Sequence, residues 1–265
     1  TKIAYNLGVG IGLAIVLRYI IATIIIIPFV ILNKPKYSNY RNQISLLMIL
    51  TIGSILLTTG LLISVKYIDA SLAILIFCTY PMIVLFTSML IDKEKIDFKI
   101  KLVFIITFIG LFLVLGPSFE SLNLIGVFSA IIASIGASTI ILTNQKLSNR
   151  NINPIHINAF TNLFNSIFFI TIISIFFEIN INITLDAWIL ILISAFCYAI
   201  AFFLQLFAIP RIGQSKTALL LYTEPIVAVL ASIILLNEIL NLYQFAGAVI
   251  VISSLIFATY QTNKN

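Results

Sequence analysis

Polar residues along this chain gather in short clusters that separate continuous apolar runs of about 20 residues, the length of one membrane-spanning helix. Nine such runs are present, at 8–32, 44–66, 70–91, 99–116, 123–145, 155–178, 186–208, 215–236 and 241–260. Within them apolar and polar positions do not alternate, so each run predicts a helix and not a barrel strand. A helix satisfies its own backbone N–H and C=O groups, which lipid cannot do. The breaks hold turn formers, among them Asn33-Lys34-Pro35, Gly116-Pro117-Ser118 and Asn151-Ile152-Asn153-Pro154. The pattern predicts an all-α polytopic membrane protein.

Composition agrees with that pattern. Of 265 residues, 61% are apolar and 9% charged, and the mean hydropathy is +1.18. A water-facing surface needs about 25–35% charged residues, so a soluble enzyme, a nucleic-acid-binding module and a disordered tail are excluded. The one histidine excludes a two-histidine metal motif, and Cys78 and Cys197 lie inside apolar runs, so no disulfide framework is implied. No cofactor is expected.

Charge sets an orientation. Lys34, Lys36 and Arg41 follow the first run, Lys93, Lys95, Lys99 and Lys101 the third, Lys146 and Arg150 the fifth, Arg211 and Lys216 the seventh, and Lys264 closes the chain. The alternate breaks carry Asp69, Glu120, Glu178, Asp186 and Glu238, with Lys2 and Lys66 as basic exceptions. The positive-inside rule then places the basic loops and the C-terminus in the cytoplasm. The net charge of +6 is thereby explained without nucleic acid.

An internal repeat gives the runs an order. Shifting the chain by 144 residues aligns Ile68-Asp69-Ala70-Ser71 with Ile212-Gly213-Gln214-Ser215, Thr79-Tyr80-Pro81 with Thr223-Glu224-Pro225, and Glu94 with Glu238. Across 67–96 against 211–240, seven positions are identical without a gap. The first copy runs from outside to cytoplasm and the second from cytoplasm to outside. Opposite topology of two similar halves is the pattern of many secondary transporters. The expected repeats are 1–116 and 123–262.

These residues resemble the drug/metabolite transporter superfamily, in its EamA-like branch. The resemblance rests on Tyr80-Pro81-Met82 and Leu90-Ile91-Asp92-Lys93-Glu94 in the first half. In the second half it rests on Tyr222-Thr223-Glu224-Pro225, Leu235-Leu236-Asn237-Glu238 and Tyr243-Gln244-Phe245-Ala246-Gly247, and Leu17-Arg18-Tyr19 adds an arginine-aromatic pair. It implies two inverted five-helix repeats with both termini cytoplasmic, and transport of small metabolites, often outward. The partner of 123–145 falls before residue 1, so the first helix of that pattern is missing. Twice 144 is 288, which exceeds the chain by 23 residues, about one span. A chain short by one helix is the expectation, with a nine-helix protein as the alternative.

Arg18 lies near the middle of the first run, where a central arginine costs about 2.5–3.5 kcal/mol and needs a partner. It is a candidate anchor for an anionic substrate group, or one half of a structural ion pair. Glu224 is equally deep, directly before Pro225, whose missing N–H leaves the Leu221 carbonyl without a helical donor. Glu224 is a candidate for an ammonium group or a coupling proton, or a structural partner of Arg18. Tyr80 occupies the equivalent place in the other repeat. Asn158, Asn162 and Asn165 share a helix face, with Asn162 the repeat-equivalent of Arg18. Either a substrate or interhelical hydrogen bonds would use that face. Tyr198 and Gln205 are candidate cavity linings on a face shared with Ser194.

His156 and Trp188 read as interfacial residues at helix starts. Gly8-Val9-Gly10-Ile11-Gly12 and the row Ala130, Ser134, Ser138 read as close helix packing. Glu94 and Glu238 read as surface or capping residues at helix ends.

Three function classes follow. The first is a secondary transporter of a small polar or amphipathic metabolite in the bacterial cytoplasmic (inner) membrane, working by alternating access and open to proton coupling. An amino acid or related compound, exported, is the leading cargo; uptake or exchange of a nucleotide-like metabolite such as S-adenosylmethionine is the alternative. The second class, an intramembrane enzyme, lacks a nucleophile with its base, paired aspartates or a metal set. The third, a passive channel or structural subunit, lacks a charge ring or carbonyl filter. The partners expected are a small-molecule substrate and the lipid bilayer, and monomer or homodimer stays open.

Overall fold

A computed structural model of the chain describes residues 9–33, 41–94, 96–116, 122–176, 183–236 and 241–262. Lys2, Gly8, Lys34, Pro35, Lys36, Lys95, Pro117, Ser118, Glu120, Glu178, Asn237, Glu238 and Lys264 lie outside these residues. The described chain is all-α. Its elements are α1 (Ile11–Leu32), α2 (Ile44–Tyr67), α3 (Ala70–Phe77), α4 (Tyr80–Leu90), α5 (Phe98–Leu115), α6 (Leu124–Asn149), α7 (Pro154–Phe176), α8 (Leu185–Ile212), α9 (Gln214–Leu220), α10 (Thr223–Leu236) and α11 (Leu242–Thr262).

Seven spans among the described residues are long and apolar enough to cross a membrane: α1, α2, Ala70–Leu90, α5, α6, α7 and α8. The remaining helices are α9, α10 and α11, the last with the apolar stretch Leu242–Ala258. Large side chains such as Phe86, Phe128 and Phe245 stand exposed, as a lipid-facing surface requires.

Two of the nine apolar runs are broken helices. The third splits into α3 and α4 at Cys78-Thr79, and the eighth into α9 and α10 at Leu221-Tyr222. Proline explains both, since Pro81 and Pro225 have no N–H for the carbonyl four residues back. At the second break the Glu224 N–H donates to the Leu221 carbonyl at 3.0 Å, so the carbonyl freed by Pro225 is taken up one residue early. Threonine completes the device. Thr79 Oγ1 donates to the Ile76 carbonyl and Thr223 Oγ1 to the Leu220 carbonyl, each at 2.8 Å. These pairs correspond under the 144-residue shift, which gives the repeated Thr-x-Pro its physical reason.

Helix starts carry the capping residues their loops supply. Asp69, Asp97, Asn123 and Asn153 accept from the backbone N–H two residues on. Gly213 (φ 87°) opens α9 in a backbone conformation that suits glycine alone.

The chain forms two compact units, each drawing on both halves of the sequence: residues 1–54 with 143–211, and residues 55–142 with 212–265. In the first, α7 packs along α1, and Trp188 in the first turn of α8 packs against the cluster of Val9, Leu13, Ala14, Ala187 and Ile191. His156 donates from Nε2 to the Asn33 carbonyl at 2.6 Å, tying the start of α7 to the end of α1. In the second, α11 packs along α5 and α9 against α4. The core there includes Leu75, Phe104, Leu111, Tyr222, Ile226 and Val251. Small residues permit the closest approaches, but the glycine row at the start of α1 fits that expectation only in part: a Cβ on Gly12 would lie 3.0 Å from Ile173, whereas one on Gly10 would meet nothing within 4 Å. A Cβ on Gly60 would lie 2.6 Å from the Ser129 carbonyl oxygen. Ser134 shares a 2.9 Å hydrogen bond with Thr79, and Ser138 donates to the Tyr80 carbonyl, so the small-residue row of α6 backs the first helix break.

Candidate functional site

Four of the six candidate residues fall in the first unit, Arg18, Asn162, Tyr198 and Gln205, and two in the second, Tyr80 and Glu224.

In the first unit, Arg18 sits eight residues into α1 with its guanidinium carbon 4.8 Å from the centroid of the Tyr198 ring. Tyr198 meets Tyr19 edge-on at 5.6 Å, shares a side-chain hydrogen bond with it, and stacks on Phe202 at 5.8 Å. Tyr19, 1% exposed, stacks in turn on Phe169 of α7 at 5.2 Å. An aromatic wall from three helices therefore holds the arginine in place. A cation–π contact contributes about 0.5–2 kcal/mol, less than the roughly 2.5–3.5 kcal/mol that a central arginine costs. No carboxylate of this unit among the described residues is placed to make up the difference. The only acidic residue described in this unit is Asp186, twelve residues before Tyr198 on α8, about 18 Å along the helix.

Asn162 does not join Arg18. Phe169, at the height of Tyr19, lies seven residues further along α7, so the two levels differ by about 10 Å. Asn162 is fully buried, and its Nδ2 donates to Asn158 Oδ1 at 2.8 Å and to the Asn158 carbonyl at 3.0 Å. Asn165 Nδ2 donates to Ser54 Oγ at 2.6 Å, and Ser166 shares a 3.2 Å bond with Thr23. The asparagine face of α7 thus combines interhelical bonds with substantial unused hydrogen-bonding capacity. Gln205 is half-buried on α8, one residue before Leu206, whose carbonyl accepts from Asn144 Nδ2 at 2.9 Å.

In the second unit, Tyr80 opens α4 and is 3% exposed, its ring 4.9 Å from that of Phe77. Glu224 stands in the first turn of α10 with an exposed side chain. Its carboxyl acts electrostatically on Tyr80 and Cys78, so the two helix breaks do bring phenol and carboxyl into one neighbourhood. A carboxyl in the first turn of a helix is also favoured by the helix dipole.

One contact escaped sequence reasoning. Gln214 Nε2 donates to Asp92 Oδ2 and Ser215 Oγ donates to Glu94 Oε2, each at 2.8 Å. Glu94 therefore grips the first turn of α9 where a plain surface or capping role was expected. The signal was present, because Ser71/Ser215 and Glu94/Glu238 are among the seven repeat identities.

Comparison with known proteins places this architecture. The model of the EamA-like transporter family matches residues 2–116 and 124–260. A solved structure, described only as the crystal structure of a protein, superposes with a TM-score of 0.84, covering 98% of this chain and 92% of its own at 14% identity. In all, 28 solved chains match. No curated protein does.

Proposed function

The chain belongs to the EamA-like transporter family, a family of polytopic membrane carriers for small molecules, and from that premise we propose that its cargo is a small zwitterionic metabolite with an amino acid as the simplest case. The observation that carries this reading is Arg18. A guanidinium deep in a membrane span, held by Tyr198 and faced by no carboxylate of its unit among the described residues, is completed by an anion that comes and goes. A carboxylate ligand would supply that anion, as expected where an arginine is needed but a permanent ion pair is not. Glu224 of the second unit is, separately, the candidate for a cationic group or a coupling proton.

The inverted repeats 1–116 and 123–262 are the proposed basis for alternating access. The alternate basic loops support a bacterial cytoplasmic membrane with the C-terminus inside. Uptake of radiolabelled amino acids into proteoliposomes tests the cargo. Saturable flux of at least one amino acid is expected, and its absence across a full panel overturns the reading.

A further inference from the structure

Four polar atoms on one face of α7 have no hydrogen-bond partner among the described residues: Asn158 Nδ2, Thr161 Oγ1, Asn162 Oδ1 and Asn165 Oδ1. Their residues are 2%, 0%, 0% and 0% exposed. Positions 158, 161, 162 and 165 fall within about a third of the helix circumference at 3.6 residues per turn. Thr161 stands out among the described helical hydroxyls of its unit. Thr23, Thr51 and Ser166 of the same unit each donate to the carbonyl four residues back, the usual way for a hydroxyl to satisfy itself in a helix. Thr161 does not. Its hydroxyl is kept from its own backbone inside a membrane span, where unpaired polar atoms are costly.

The unpaired set mixes a donor amide, two acceptor oxygens and a hydroxyl. A metal cation would meet the Asn158 amide hydrogens head-on, and the only carboxylate described in this unit, Asp186, stands in the first turn of α8 and not on α7. A neutral group that both donates and accepts fits all four atoms. Asn165 lies four residues from Phe169, whose ring stacks on Tyr19 next to Arg18, so the face begins about 6 Å along the helix from the arginine.

We propose that this face of α7 is a binding subsite for a neutral amide or hydroxyl group, and that it receives the polar side chain of a cargo whose carboxylate Arg18 holds. The inference rests on the amino-acid reading above for the identity of the cargo, but not for the subsite itself. L-glutamine and L-methionine have nearly equal size, and only the first offers an amide.

Two measurements on the full chain in detergent test it. In titration calorimetry, wild type should bind L-glutamine at least about tenfold more tightly than L-methionine, because buried polar groups reject a ligand that leaves them unpaired. Thr161→Val and Asn162→Leu should each remove that preference. A wild type that binds both equally overturns the subsite. The second measurement needs no cargo. Thr161→Val replaces an unpaired hydroxyl by a methyl of the same shape, so the melting temperature of the ligand-free protein should hold or rise. A fall of several degrees shows that the hydroxyl serves the fold and overturns the subsite. If neither amino acid binds, glutamine and methionine are excluded as cargo, the full amino-acid panel decides the cargo reading, and the melting temperature still decides for or against the subsite.

Discussion

Replacing Gly247 by alanine offers a test of the packing whose size can be worked from the structure. A Cβ at Gly247 would lie 2.6 Å from the Gly110 carbonyl oxygen, 2.8 Å from Leu113 Cβ and 2.8 Å from Val114 N, whereas ordinary contact begins at 3.4 Å. Most of these atoms are backbone, so no side chain can swing aside. Helices α5 and α11 must separate by about 0.8 Å, the difference between 3.4 and 2.6 Å. The Thr107–Ser254 bond that joins them, 2.7 Å long, would stretch to about 3.5 Å and lose its roughly 1 kcal/mol. Overpacking adds about 1–3 kcal/mol. At about 2–4 °C per kcal/mol for a chain of this size, the melting temperature should fall by about 4–16 °C. Thermal melting followed by size-exclusion fluorescence in detergent measures it. Gly10→Ala is the control, since nothing lies within 4 Å of a Cβ there. A Gly247→Ala protein that melts with wild type refutes the described approach of α5 and α11.

Other expectations follow from the helix breaks and the clasp at α9. Thr223→Val deletes a 2.8 Å hydrogen bond to a backbone carbonyl and should cost about 1 kcal/mol in a denaturation assay, whereas Thr79→Val also loses the bond to Ser134 and should cost about 2 kcal/mol, with the double variant near the sum. Glu224→Gln should abolish the response of flux to an imposed proton gradient while leaving exchange of labelled for unlabelled cargo in place; gradient-driven flux that survives rules out the coupling role. Ser215→Ala and Glu94→Ala break one and the same bond, so in a double-mutant cycle on thermal stability their effects should not add.

Much of the fold can be read from hydropathy alone. The apolar runs correspond to the helical segments because a bilayer forces each run to satisfy its backbone internally, leaving few alternatives. Pro225 also announced the irregular backbone at the second break, while the matching break ahead of Pro81 emerged only in the structure. What periodicity could not supply is which helices touch. The stack of Arg18 on Tyr198 depends on α1 lying against α8, and no local pattern encodes that adjacency. Repeat equivalence linked Asn162 to Arg18, yet equivalent positions in two repeats need not share a height, and these differ by about 10 Å. The grip of Glu94 on Ser215 was hidden for a related reason: a glutamate at a helix end reads as a surface residue until its partner, 121 positions away, is placed beside it.

Amino-acid flux in proteoliposomes carrying Arg18→Gln bears most directly on the account. Loss of a charged hydrogen-bonding partner to a carboxylate costs about 1.5–3 kcal/mol, so transport efficiency for the cargo should fall about 10- to 100-fold, with Arg18→Lys retaining part of the activity. Saturable flux that is unchanged in Arg18→Gln would contradict the assignment of this arginine as the anchor of an anionic cargo.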